Sequence, residues 1–157
     1  MNRPPQGPKI YLEDLTPGRL FTAGPVTVTE AEIIDFARRY DPQPFHTDPE
    51  AAKASFFGGL AASGWHTAAI TMAMVVQAAG NLAGGIIGGG GELQWTKPVR
   101  PGDQLRLEIE VLEVSPSRSR PDRGAALMRN RTLNQAGEEV QVFTVRLIVP
   151  KRPRQHG

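Results

Sequence analysis

The chain has 157 residues and a formal net charge of +2, with ordinary apolar and charged fractions, which fits one domain with a sizeable core. It contains no cysteine, so disulfides and thiolate chemistry are excluded, and its three histidines, at positions 46, 66 and 156, are too dispersed to form a metal-ligand cluster. No metal is expected. Residues 1–96 carry six basic and nine acidic side chains and residues 97–157 twelve and seven, a split of −3 against +5. A basic second half can steer anionic ligands, but there is no recognition-helix pattern and no basic stripe interleaved with exposed aromatics, so nucleic acid is not an expected partner.

Residues 1–9 are proline-rich and polar with no apolar stretch of the kind an export signal needs, and are expected to be a disordered leader, with the cytoplasm as the site of action. The domain is expected over residues 10–150, followed by a basic disordered tail over 151–157. After a turn at Pro17-Gly18, residues 20–28 have the β-branched and aromatic content of a strand. Thr29 with Glu32 three residues on is a capping-box pattern, and Ile33, Phe36, Ala37 and Tyr40 recur at helical spacing, predicting a helix over 30–40. Pro42 and Pro44 disfavour the helical conformation for Asp41 and Gln43, so the helix stops at Asp41 and residues 41–46 are expected to run extended as a stiff arm. Asp48-Pro49-Glu50 has the pattern of an N-cap, first position and acidic first turn of a short helix to residue 55.

From Ala54 to Gly91 there is no Lys, Arg, Asp or Glu. Within that span residues 65–79 are apolar nearly all round and predict a buried helix that starts after Ser63 or Gly64. A membrane span is disfavoured because the segment falls short of a clean apolar run of about 20 residues and lacks basic flanks. The glycine series from Gly80 to Gly91 is not a phosphate loop, since no Lys-Ser/Thr follows; a helix stop and a strand bend are expected there. Strands are predicted over 92–99, 105–111, 125–133 and 140–149, with turns at Pro101-Gly102-Asp103 and 134–137 and an exposed loop over 115–122. Successive strands without intervening helices pair antiparallel, and a helix apolar on all sides needs a sheet that curls around it, so the fold class is α+β with a wrapped central helix.

Asp41-Pro42-Gln43-Pro44-Phe45-His46-Thr47-Asp48 resembles the Asp-x-Asn-Pro-x-His-x-Asp signature of the MaoC-like, (R)-specific enoyl-CoA hydratase family. The resemblance runs from about residue 21 to 149 and includes Ser63-Gly64 and the Val99-Arg100-Pro101-Gly102-Asp103 turn. Gln43 replaces the family's usual Asn, Ser63 stands where many members have His, and Met72 falls where some place a hydroxyl. The resemblance implies a hotdog domain, a homodimer, and a hydro-lyase that reversibly hydrates trans-2-enoyl-CoA to (R)-3-hydroxyacyl-CoA. No cofactor is implied, because coenzyme A enters as part of the acyl-CoA substrate. Asp41 and His46 would share the catalytic water, and the Gly64 N–H, at a helix N-terminus, would receive the thioester oxygen. Gly64 would also let the thioester come close. Gln43, Ser63, Phe56, Phe57, Trp65 and Met72 are the expected substrate-binding residues, with Trp95 as core or acyl-tunnel wall and Arg100 as a candidate for the coenzyme A phosphates. His66 is expected to be a hydrogen-bonded core or interface residue. Two alternatives remain at this point: a hotdog acyl-CoA thioesterase, and a catalytically silent acyl-CoA-binding subunit.

Overall fold

A computed structural model describes residues 3–155; Met1, Asn2, His156 and Gly157, the outer ends of the expected leader and tail, lie outside the described residues. Strand β1 (Leu20–Thr27) leads into helix α1 (Glu30–Tyr40), two single-turn helices α2 (Pro44–Thr47) and α3 (Pro49–Ala52), and the long helix α4 (Gly64–Ala79). Strands β2 (Gly88–Trp95), β3 (Gln104–Pro116), β4 (Arg123–Leu133) and β5 (Glu139–Pro150) follow. The five strands form one antiparallel sheet in the order β1-β3-β4-β5-β2. This is the α+β hotdog arrangement expected, a curled sheet with α4 on its inner face.

Alternation explains the sheet. On β3, Leu105, Leu107, Ile109 and Val111 are buried while Arg106, Glu108 and Glu110 face outward. Arg129 bonds Glu110 at 2.6 Å, and Arg131 reaches Glu108 and Glu139 across the same outer face. Met74, Val75 and Ala79 of α4 complete the core, each larger side chain contributing about 1.5–3 kcal/mol on burial. No helix among the described residues is long and apolar enough to cross a membrane.

The structure changes several local expectations, among them β3, which runs on through Ser115 and Pro116 into the expected loop. Residues 41–46 are not extended throughout: Gln43 is (φ −84°, ψ 143°), but Pro44–Thr47 closes a helical turn, with the Asp48 N–H bonded to the Pro44 carbonyl at 2.9 Å. Proline restrains the residue before it and is itself well suited to a first helical position, so Pro44 starts a turn rather than prolonging the arm. The second short helix ends at Ala52 rather than residue 55. Strand β2 occupies residues 88–95 instead of 92–99, because the glycines belong to the strand: a register shift between Gly88 and Gly91, with Gly90 at φ 137°, bends it inside the sheet. Gly80 is the expected helix stop, its N–H bonded to the Val76 carbonyl.

The chain ends are tied down where they are described. Asn81 donates to the Pro8 carbonyl at 3.1 Å, and the Arg152 guanidinium pairs with Asp14 at 2.6 Å.

Candidate active site

Asp41 is the C-cap of α1, and His46 stands on the turn α2 that Pro44 begins. The turn folds the imidazole back, placing Nε2 3.3 Å from Asp41 Oδ2. His46 is buried, and its Nδ1 donates to the Ala61 carbonyl at 2.6 Å in the chain segment that leads into α4. In a neutral ring with its proton on Nδ1, the Nε2 lone pair faces the carboxylate.

Asp41 is itself fixed. Its Oδ1 accepts from Gln43 Nε2 at 2.6 Å. Burial alone raises its pKa, but the hydrogen bonds from Gln43 and Ser63 and the adjacent His46 ring outweigh it, holding the carboxyl below its ordinary value. Gln43, expected to bind substrate, thus orients the acid. Ser63 is fully buried as the N-cap of α4: its Oγ accepts from the Trp65 N–H at 3.3 Å, and its carbonyl accepts from the His66 and Thr67 N–H groups. Those three bonds leave the Gly64 N–H as the donor of the first turn with no partner among the described residues.

His46 and Gly64 face the same cavity of about 330 Å³, with Phe57, Thr67, Trp95 and Lys97 among its other walls. Phe57 packs 5.2 Å from Phe45 and 5.9 Å from the His46 ring, whereas Phe56 is 98% exposed at the cavity rim. Trp65 and Met72 do not line this cavity. They line a second one of about 430 Å³, between α4 and the sheet. Trp65 and Trp95 meet edge to face at 5.1 Å and stand between the two spaces.

Gly64 has a further reason to be glycine besides room for a thioester. A Cβ there would lie 2.6 Å from Trp95 Cδ2, inside the indole that packs on the helix start. Arg100, a candidate for phosphate contact, turns inward: Nη1 donates to the Gly59 and Leu60 carbonyls at 3.0 and 3.3 Å and Nη2 to the Phe57 carbonyl at 2.5 Å. It latches the loop that leads to α4. His66 is buried as expected, yet its Nδ1 meets no hydrogen-bond partner; the ring stacks on Phe36 at 4.7 Å instead. The Ala61 carbonyl and Lys97 had no distinguishing signal in the sequence, since a backbone acceptor has none and Lys97 gains meaning only from the cavity it lines.

A carboxylate and an imidazole stand 3.3 Å apart near a helix N-terminus with an unpaired N–H, a geometry that can hold a water, and residues 14–145 match the family model described as MaoC like domain. The chain belongs to the MaoC-like domain family. The MaoC-like dehydratase from Rhodospirillum rubrum superposes with a TM-score of 0.89 at 53% identity, covering 92% of this chain and 99% of that one. The R-hydratase PhaJ1 from Pseudomonas aeruginosa does so at 0.73 and 27%, covering 95% and 97%. The uncharacterized protein YdeM of Bacillus subtilis is 34% identical over 142 residues, 89% of this chain and 97% of YdeM. The MaoC-like family is one of hydratases and dehydratases, so a hydro-lyase assignment follows at that level.

Proposed function

We propose that this MaoC-like protein reversibly hydrates trans-2-enoyl-CoA to (R)-3-hydroxyacyl-CoA. The observation that carries the reading is the 3.3 Å approach of Asp41 Oδ2 to His46 Nε2, with His46 Nδ1 turned away onto the Ala61 carbonyl at 2.6 Å. Two hydrogen-bond acceptors at that distance repel unless a proton lies between them or a water donates one hydrogen to each. Such a water has its oxygen lone pairs directed away from the pair; of the two residues, His46 lines the cavity and Asp41 does not.

With an enoyl thioester in that cavity, its carbonyl oxygen accepts from the Gly64 N–H, supported by the positive end of the α4 dipole. Electron density moves from the double bond toward that oxygen as water attacks the β-carbon. Asp41 or His46 takes the proton that the water loses and returns it to the α-carbon. Because the water and the proton carrier lie on the same side, H and OH add to one face of the double bond. Each acid–base role is worth about 10²–10⁴-fold in rate.

A homodimer is part of the proposal. The outer edge of β2 has no strand beside it among the described residues, and Trp65 and Met72 remain 59% and 45% exposed in the single chain.

Crotonyl-CoA tests the reaction. Loss of enoyl absorbance without free thiol is the expected result for the wild type, and Asp41→Asn and His46→Ala should each lower kcat by 10²-fold or more, within the range typical of such roles. Free thiol in step with the absorbance loss would instead indicate a thioesterase. Hydration equal to wild type in both variants would remove the dyad from the mechanism.

A further inference from the structure

Phe56 is the most exposed large apolar side chain among the described residues, at 98%, and it stands at the rim of the His46 cavity. A single phenyl ring in water on a loose loop would call for no explanation, but this one is held in place. The Gly58 N–H closes a turn onto the Ser55 carbonyl at 3.0 Å, with Gly58 at φ 66°, and the Phe57 N–H bonds Ser55 Oγ at 3.2 Å. Ser55 Oγ in turn donates to the Ala52 carbonyl at 2.6 Å. Beyond the turn, the Arg100 guanidinium fastens the carbonyls of Phe57, Gly59 and Leu60. Phe56 is therefore the tip of a fastened turn, braced by an edge-to-face contact with Phe57 at 5.5 Å and otherwise bare.

Distance decides which part of a thioester meets that ring. Phe57 links it to the reacting end, 5.5 Å from Phe56 and 5.9 Å from His46, so the Phe56 centroid is at most about 11 Å from the imidazole. An extended chain advances roughly 1.2 Å per bond. Counted from the sulfur of a coenzyme A thioester, the carbon that bears the two methyls of the pantoyl group is about ten bonds out, or about 12 Å. The first phosphorus is about 16 Å out on the same scale, and the adenine lies further still. The chemistry of the rim agrees. Pro98 and Val99 share the wall with Phe56, whereas Lys97, the one Lys or Arg in that wall among the described residues, is paired with Glu138, and Arg100 is engaged with backbone carbonyls. We propose that Phe56 packs on the two pantoyl methyls, so that the protein recognises the pantetheine arm and not the nucleotide; the inference rests on the acyl-thioester reading above. Every carrier that presents its acyl group on phosphopantetheine, a carrier protein as well as coenzyme A, offers that contact.

The test uses three crotonyl thioesters: of coenzyme A, of pantetheine, which ends after the pantoyl group, and of N-acetylcysteamine, which ends before it. In Phe56→Ala, KM for the coenzyme A and pantetheine thioesters should rise by roughly fivefold to tenfold with kcat kept, since ground state and transition state share the lost contact with two methyl groups. The ratio of kcat/KM between the pantetheine and N-acetylcysteamine thioesters should fall by the same factor, and Phe56→Leu should restore part of it. A rise confined to the coenzyme A thioester would put the ring on the nucleotide. An equal rise with all three would put it on the acyl end or in the fold alone, and either result, like no rise at all, overturns the inference. Wild type gives a second reading should the variants not fold. Its KM for the pantetheine thioester should lie closer to that for the coenzyme A thioester than to that for the N-acetylcysteamine thioester, and the reverse order ends the proposal. If wild type hydrates none of the three, the function reading falls separately. Calorimetry with butyryl-pantetheine then decides the rim, weaker binding by Phe56→Ala than by wild type upholding the contact and equal binding ending it.

Discussion

Trp95 fills the space that a side chain at Gly64 would need, its Cδ2 lying 2.6 Å from where the Cβ would stand. The start of α4 and the end of β2 are thus packed together through the absence of one methyl group. Gly64→Ala is expected to push the indole aside, break its bond to Gln141 and destabilise the fold by about 1–3 kcal/mol, as overpacked cores do. Chemical denaturation followed by tryptophan fluorescence reads both effects. The double variant Gly64→Ala/Trp95→Leu should regain part of the loss, and a Gly64→Ala protein as stable as wild type would contradict the packing argument.

Gln43 donates its amide to Asp41 Oδ1 at 2.6 Å. Removing it in Gln43→Ala deletes one of the hydrogen bonds that hold the Asp41 carboxyl below its ordinary value of 3.8, so its pKa rises. In the proposed mechanism an ionised Asp41 accepts a hydrogen bond or the proton from the water, so the acid limb of kcat/KM should move to higher pH. A pH profile of the variant against wild type measures the shift. Gln43→Asn, which keeps the amide but shortens its reach, should give an intermediate profile.

His66 ties stability to pH. Burial lowers its pKa below 6.5, with Glu32 opposing weakly, so the unfolded chain takes up a proton at a pH where the native ring stays neutral. Stability is therefore full above about pH 6.5 and falls as pH drops from there toward the lowered native value. Replacing the ring in His66→Phe, which keeps the stack on Phe36, should flatten that part of the stability curve. Urea midpoints between pH 5 and 8 check it; identical slopes in the two proteins would show that His66 is not the group involved.

Arg100 holds three backbone carbonyls of the 57–60 loop. Leaving them without a donor in Arg100→Met should cost about 1–3 kcal/mol and loosen the Phe57 wall of the active-site cavity. KM for crotonyl-CoA is expected to rise more than kcat falls, and limited proteolysis should cut between Phe56 and Leu60 faster than in wild type. Equal cleavage rates would sink the latch.

The sequence by itself determined the order of elements, the central helix and the acid–imidazole motif. These follow from local causes: apolar periodicity, proline and cap chemistry at the helix ends, and a charge-free run from Ala54 to Gly91. Only the tertiary structure decided what depends on distant segments meeting. The folding back of His46 onto Asp41 needed the helical turn begun by Pro44 and the Ala61 carbonyl fifteen residues away. The direction of Arg100 was set by carbonyls 40 to 43 residues earlier in the chain. Gly64 reads only as an opening for substrate until strand pairing brings Trp95 beside it, where a Cβ would also meet the indole. Asn130 and Gln141 sit in ordinary strand alternation, and only closure of the sheet over α4 places them in the wall of an apolar cavity. Local pattern is written residue by residue, whereas the meeting of side chains far apart in sequence is fixed by register and packing, to which no single stretch of sequence refers.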